Sequence, residues 1–380
     1  VKTPRPHFLY PSVVPDLPEP ATYLPLLQEM HERHWYSNFG PLVRQFEHLL
    51  LASFGRPGET CVTACNATAG LSAALLATGR TGPVLLPAFT FPASLGAVRA
   101  AGMNPIVLDI DVEDWTLSVP LLAAALAGTR DAVVMLTAPF GLNRSFSAHL
   151  ALCKYYGAPV VIDNAAGLGP PRLATKPDSR VFEVFSMHAT KPFGIGEGCA
   201  VFACADHDAD LREALSFALG TYGHSETVSW GFNGKMSEMH AAVGLAQLDR
   251  FQGRMERRQA FAAEYLRRLA PLPGLTCRYA MSDSPWQFFP ILLPNTQTTE
   301  RFIERAGSVG VEIRRYYRPS LSRWPEAKCG SPCPVSEDLA DRMCALPIRA
   351  AQGRADIDVI VNLIEAALRE TLFNVCGREA

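Results

Sequence analysis

The chain has 380 residues, 48% of them hydrophobic and 19% charged, with a formal charge of −2. This composition supports a large buried core, in two domains or in one with an appendage, and excludes an intrinsically disordered chain. Near-neutral charge without Lys/Arg runs excludes nucleic acid as a partner, and no stretch of about 18 uncharged apolar residues marks a membrane span.

The segment Val1 to Pro20 is proline-rich and lacks a continuous apolar run, so it does not read as a secretory signal, and a cytoplasmic location is expected. The ten cysteines are scattered through apolar segments and read as reduced core residues, not as a disulfide framework. Cys329 and Cys333, separated by Gly-Ser-Pro with no nearby histidine, match zinc-ligand spacing poorly, and no metal site is expected.

From about residue 58, short β-rich runs alternate with helix-length segments. The runs are Cys61-Val-Thr-Ala, Val84-Leu-Leu-Pro, Pro105-Ile-Val-Leu-Asp, Ala132-Val-Val-Met-Leu, Pro159-Val-Val-Ile-Asp, Val181-Phe-Glu-Val-Phe and Ala200-Val-Phe-Ala. Between them lie Ala69 to Leu76, Ser94 to Ala101, Val119 to Leu126 and Ser147 to Tyr156. The alternation predicts an α/β fold with a mostly parallel seven-stranded sheet covered by helices. After Trp230-Gly-Phe-Asn, a long helical pattern runs from Met236 to Leu269, followed by a smaller α+β region with segments at Trp286 to Leu293, Thr298 to Val309 and Ile357 to Leu368. We therefore expect a large domain over 1–250 and a small one over 251–380.

Ligands in such sheets sit beyond the carboxyl ends of the strands, and several chemically suited residues fall there. Thr68 opens a helical run after Cys65-Asn-Ala, where free backbone N–H groups attract a phosphate; alone, it reads equally as an ordinary N-cap. Phe91 follows another strand end and offers a flat face, although core packing would also account for it. Asp163 closes Pro-Val-Val-Ile and needs a charged partner if buried. Ser186 offers a hydroxyl, His188 lies within a turn of Lys191, and Lys191 is one of only six lysines. Lys2 and Lys328 lie in surface-like segments, Lys154 in a helical pattern and Lys176 in a Pro-containing loop, which leaves Lys191 and Lys235 as candidates. A lysine amine that loses its proton attacks an aldehyde, and pyridoxal phosphate is the commonest such partner.

Together these segments resemble the DegT/DnrJ/StrS family of pyridoxal-phosphate-dependent sugar aminotransferases, a branch of the fold-type I aspartate aminotransferase superfamily. The likeness runs from Trp35-Tyr-Ser-Asn-Phe-Gly-Pro and Phe46-Glu through Asn66-Ala-Thr-Ala-Gly-Leu, Pro87-Ala-Phe-Thr-Phe-Pro-Ala, Val161-Ile-Asp-Asn-Ala-Ala, Ser186-Met-His-Ala-Thr-Lys and Gly196-Glu-Gly. It continues in Gly231-Phe-Asn-Gly-Lys-Met-Ser-Glu-Met-His-Ala-Ala, Tyr316-Tyr-Arg-Pro and Leu346-Pro.

The resemblance implies that Lys191 holds the cofactor as an imine, Asp163 pairs with the pyridine nitrogen and Phe91 stacks on the ring. Ala67, Thr68 and Ser186 would surround the phosphate. Asn233 would reach that phosphate from a neighbouring subunit, making the active unit a homodimer with shared sites. Lys235 stands where many members carry arginine, near the amino donor's carboxylate, but lacks a bidentate fork. Substrate contacts are also expected from His188 and from loops around Tyr36 and Tyr222-Gly-His-Ser. Ala166 stands where many members place Gln or His, so Asn164, a water or a roomier pocket would take over that contact. Asn66 replaces a common serine.

The implied function is amino transfer from an amino acid, glutamate in the first instance, to a nucleotide-linked keto-deoxy sugar, with a dTDP-4-keto-6-deoxyhexose as the expected acceptor. Alternatives within the family are a cyclitol or other keto substrate, or a dehydratase; members of the latter kind that lack the lysine typically carry histidine there. A protein that binds the cofactor without turnover is an alternative of another class.

Overall fold

The computed structural model describes residues 8–169, 178–220, 227–277, 284–349 and 353–376, so the Tyr222-Gly-His-Ser loop, Lys2 and Lys176 lie outside the described residues. The chain enters through helices α1 (Pro20–Arg33) and α2 (Pro41–Phe54). It then alternates β1 (Glu59–Ala64), α3 (Ala67–Ala77), β2 (Val84–Pro87), α4 (Pro92–Ala100), β3 (Pro105–Leu108), α5 (Val119–Gly128), β4 (Val133–Thr137), α6 (Ser147–Tyr156) and β5 (Val160–Asp163). Strands β6 (Val181–Ser186) and β7 (Cys199–Cys204) follow, then α7 (Asp208–Ala214) and the 32-residue α8 (Glu238–Leu269). The remainder is β8 (Phe288–Leu292), α9 (Thr296–Ser308), β9 (Lys328–Cys329), α10 (Pro334–Arg342), β10 (Met343–Pro347) and α11 (Arg354–Cys376).

The large sheet has the order β1-β7-β6-β5-β4-β2-β3-β9, parallel throughout except that β7 runs against β1 and β6. The seven strands expected from the sequence are present. The eighth, β9, joins β3 in parallel with only two residues, too few for any hydrophobic period to register. Strands β1, β2, β4, β5 and β7 lie almost wholly out of water, and β2, β4, β5 and β7 accordingly read as apolar runs, β4 and β5 up to a polar last residue. Helix α3 is buried around most of its circumference and lies directly on this sheet. Its Gly70 permits that approach, since a Cβ there would stand 2.4 Å from Cys199 Sγ.

A second core gathers around the antiparallel pair β8 and β10 with α9 and α11, and takes in Phe89, Trp115 and Phe140 from the sheet region. The boundary expected at residues 250 and 251 lies inside α8, whose first half packs on α1 and α2 and whose later turns reach α11.

One carboxylate fastens the N-terminal helices to this frame. Glu238, at the start of α8, accepts the N–H groups of Leu42 (2.8 Å) and Val43 (2.9 Å), two of the orphan donors at the start of α2. Gly40 is needed for this fit, because a Cβ there would lie 2.6 Å from the Glu238 carboxyl carbon. Glu238→Ala should therefore destabilise the protein by about 1–3 kcal/mol, with Glu238→Gln losing less because it keeps one acceptor. Chemical denaturation of the two variants checks the order.

Candidate active site

The parallel strands deliver their carboxyl ends to one rim of the sheet, and the chemically active side chains gather there. A cavity of about 350 Å³ is lined by Ala67 and Thr68 after β1, Thr90 and Phe91 after β2, Thr137 from β4, Asp163 and Ala166 from β5 onward, and Ser186, His188 and Lys191 after β6. Because β7 is antiparallel, the residue that precedes it on this rim, Glu197, lines the cavity too. The second core closes the cavity with Gln287, Phe288, Arg314, Tyr316 and Tyr317.

Asp163 is buried at the end of β5, and burial raises its carboxyl above the ordinary range. A hydrogen bond from Ser94 Oγ (2.6 Å), the charge of Lys191 and the Ala165 N–H (3.2 Å) work the other way. Ser94 is itself backed by a line of hydroxyls: Thr137 donates to Thr90 at 3.1 Å, and Thr90 lies 2.8 Å from Ser94. With Ser94 spending its proton on Asp163, all three hydroxyls point their donors toward the carboxylate.

Lys191 lies at the cavity wall. Burial pushes its amine down to about 8, with Asp163 partly offsetting this. Its Nζ donates to Gln287 Oε1 at 3.1 Å. The burial of an acid and a base in one cavity weakens the charged form of each, the condition expected where a third charged group belongs between them.

At the start of α3, Asn66 is the N-cap and its side-chain oxygen accepts the Ala69 N–H at 2.9 Å. That leaves the N–H groups of Ala67 and Thr68 among the helix's first, uncapped donors. Ser186 Oγ accepts the His188 N–H at 3.3 Å. His188 in turn contacts Thr190 Oγ1 at 2.8 Å and faces Glu197 at 3.7 Å.

Asn164 does not take over from Ala166: it is absent from the cavity wall and donates instead to the buried Glu183 at 3.1 Å. The wall carries an aromatic pair, Phe140 and Tyr317, stacked 5.6 Å apart at 16°, and Tyr317 is close enough to Asp163 for its phenol to be pushed further up beyond the effect of burial. The backbone of Gly141, at φ +72°, lies so close to Ala166 that a Cβ would stand 2.4 Å from its carbonyl oxygen.

Of the residues singled out in the sequence, Lys191, Asp163, Phe91, Ala67, Thr68, Ser186 and His188 meet in this cavity. Tyr36, Asn233 and Lys235 do not line it. Tyr36 is exposed, with its hydroxyl 3.2 Å from His31, while Lys235 donates to the exposed Asn233 at 2.7 Å and stands over the Phe217 ring. The sequence reading missed Ser94, Thr90, Thr137, Gln287 and Arg314. Ser94 and Gln287 are 69 and 96 residues away from their partners and belong to no local motif.

The family model of the DegT/DnrJ/EryC1/StrS aminotransferases matches residues 20–365. The chain is 25% identical over 349 residues to the Escherichia coli dTDP-4-amino-4,6-dideoxy-D-glucose transaminase, covering 89% of this chain and 93% of that protein. It superposes on the crystal structure of DesI, determined in the presence of its TDP-sugar product, with a TM-score of 0.83 and 30% identity, over 98% of this chain and 97% of that one. An aminotransferase of the same family from Brucella abortus superposes with a TM-score of 0.80 and 25% identity, over 91% of this chain and 95% of that one.

The lowered amine is directly measurable. In cofactor-free protein, acylation of Lys191 followed by peptide mass spectrometry across a pH series should rise with a midpoint near about 8. Ser94→Ala should raise the Asp163 carboxyl further and weaken cofactor retention by about tenfold, measured by equilibrium dialysis.

Proposed function

The chain belongs to the DegT/DnrJ/EryC1/StrS aminotransferase family, and from that premise we propose that it moves an amino group from glutamate to a nucleotide-linked keto-deoxy sugar, a dTDP-4-keto-6-deoxyhexose in the first instance. It is a pyridoxal-phosphate-dependent aminotransferase. The observation that carries the proposal is the meeting of Lys191, Asp163 and the start of α3 in one cavity.

The residues fit the cofactor. Among the described residues, the Ser94 hydrogen bond and the charge of Lys191 only partly offset the burial that raises Asp163, and a protonated pyridine nitrogen would supply a further countercharge. The Ala67 and Thr68 N–H groups and the Ser186 hydroxyl suit a phosphate, and Phe91 offers a ring face. Pyridoxal phosphate, when bound, supplies a reactive aldehyde and an electron-accepting ring. Lys191 then has two tasks. As a neutral amine it would hold the cofactor's aldehyde, and as a base it would take the proton from the donor's α-carbon. Its lowered affinity for protons leaves a useful neutral fraction near neutral pH.

Among the described residues, Arg314 is the arginine that lines the cavity, and its Nε and Nη1 are held by Glu312 at 3.0 Å and Tyr316 at 3.2 Å. We assign the donor carboxylate to Arg314, with His188 facing the sugar. Asn233, Lys235 and Tyr36, which lie off this cavity, then act on a partner subunit's site. The exposed Phe217, Leu219, Trp230 and Met239 supply apolar surface for such a dimer. The E. coli relative's nucleotide-sugar activity and the TDP-sugar seen with DesI support the acceptor class.

Two experiments test this reading. The visible absorbance of the purified protein should bleach with glutamate in wild type and be absent in Lys191→Ala; an unresponsive cofactor would remove glutamate as donor. Mixing Lys191→Ala with Asn233→Ala subunits should restore about a quarter of wild-type activity, since half of randomly paired dimers are hybrids with one intact site. No recovery, with subunit exchange shown by mass spectrometry, would overturn the shared site.

A further inference from the structure

We propose that Gln287 is the positioning residue of the reactive lysine: its side-chain carbonyl takes one N–H of Lys191 and so aims the amine's lone pair into the cavity. The inference rests on the role given to Lys191 above.

The geometry is built from both ends. Gln287 Oε1 accepts from Lys191 Nζ at 3.1 Å, the hydrogen bond of that amine among the described residues. The amide cannot turn over, because its Nε2 donates to the Thr190 carbonyl at 3.3 Å, and a carbonyl only accepts. Thr190 is the residue next to the lysine, so one amide grips both the backbone and the head of the same short segment. A neutral amine has two N–H groups and one lone pair, and fixing one N–H to a buried acceptor restricts where the lone pair points.

Gln287 is itself held rigidly. It is buried just before β8, and its backbone carbonyl accepts from Arg258 Nη2 at 3.0 Å. The same buried guanidinium takes the carbonyls of Pro285 at 3.1 Å and Trp286 at 3.0 Å, so α8 clamps three successive residues. The hold on the lysine therefore comes from the second core, across 96 residues of sequence, and depends on that core being seated on the sheet.

An amide suits this task because it carries no charge. A carboxylate in its place would favour the ammonium form and take away the nucleophile. The other charged or titratable groups lining the cavity are Asp163 from β5, His188 after β6, Glu197 before β7, and Arg314, Tyr316 and Tyr317 from the second core. Each stays unchanged when Gln287 alone is replaced.

The test compares Gln287→Leu, which removes the acceptor, with Gln287→Glu, which keeps the shape and adds charge. In cofactor-free protein, pH-dependent acylation of Lys191 should shift its midpoint downward by about half a unit in Gln287→Leu and upward by about one unit in Gln287→Glu, against wild type. In the loaded enzyme with glutamate, Gln287→Leu should lower kcat by about tenfold with KM for glutamate unchanged within about twofold. The near-isosteric Gln287→Glu should recover rate as pH is raised, as its lysine loses its proton. An unchanged Lys191 midpoint in both variants overturns the proposal, and so does a shift of the same sign in both, since a purely packing role moves them together. Should Gln287→Leu fail to fold, the upward shift and alkaline recovery of Gln287→Glu decide alone. Loss of acylation at this peptide in Lys191→Ala, with its turnover retained, would instead remove the lysine's role and leave the hydrogen bond in place.

Discussion

The site depends on burying a carboxyl group and an amine together where neither is fully neutralised. Asp163 and Lys191 each lose hydration, and the attraction between them offsets only part of the cost, so the carboxyl is raised and the amine lowered. A closed ion pair would be inert, because a fully paired lysine keeps its proton. Incomplete compensation keeps the amine near about 8 and leaves the carboxyl raised, with room for a further countercharge.

The surrounding polar groups fall into two sets with opposite duties. Around Asp163, the hydroxyls of Thr137, Thr90 and Ser94 form a line of donors that favours the ionised carboxylate without adding a charge. Around Lys191, the neutral amide of Gln287 holds the amine without recharging it. The first set stands on the parallel sheet and its helices, the second on the second core. The cavity is thus the seam between the two, with Ala166 and the stacked Phe140 and Tyr317 among its lining.

Rigidity at this seam comes from buried polar contacts remote from the chemistry. Glu238 ties the entry of α8 to α2, and Arg258, between five and six turns further along the same helix, clamps the approach to β8. Close packing of α3 on the sheet at Gly70 carries the start of that helix to the cavity floor. These contacts explain why matched motifs so far apart in the chain describe one site.

Much of the fold was legible in the sequence, because doubly covered parallel strands are apolar runs and the active rim lies wherever such runs stop. Asp163 and Lys191 could be named on that ground, Asp163 as the last residue of β5 and Lys191 in the loop that follows β6. Thr68, Phe91 and Ser186 could be singled out on the same ground, and the family resemblance added Ala67, Asn233 and the departure at Ala166. The two-residue β9 could not be seen, as it has no period of its own, and neither could the cradle of Ser94, Thr90, Thr137, Gln287 and Arg314. Ordinary serines, threonines and glutamines carry no positional signal until the chain folds. Nor could sequence decide whether Asn164 takes over the contact at Ala166, because that depends on the Asn164 amide turning to the buried Glu183 of the neighbouring strand. The sequence by itself thus determined which strands end in reactive groups, through local hydrophobic pattern; the proton affinity and aim of those groups were decided by tertiary structure, because burial and hydrogen-bond geometry are properties of neighbours that are distant in the chain.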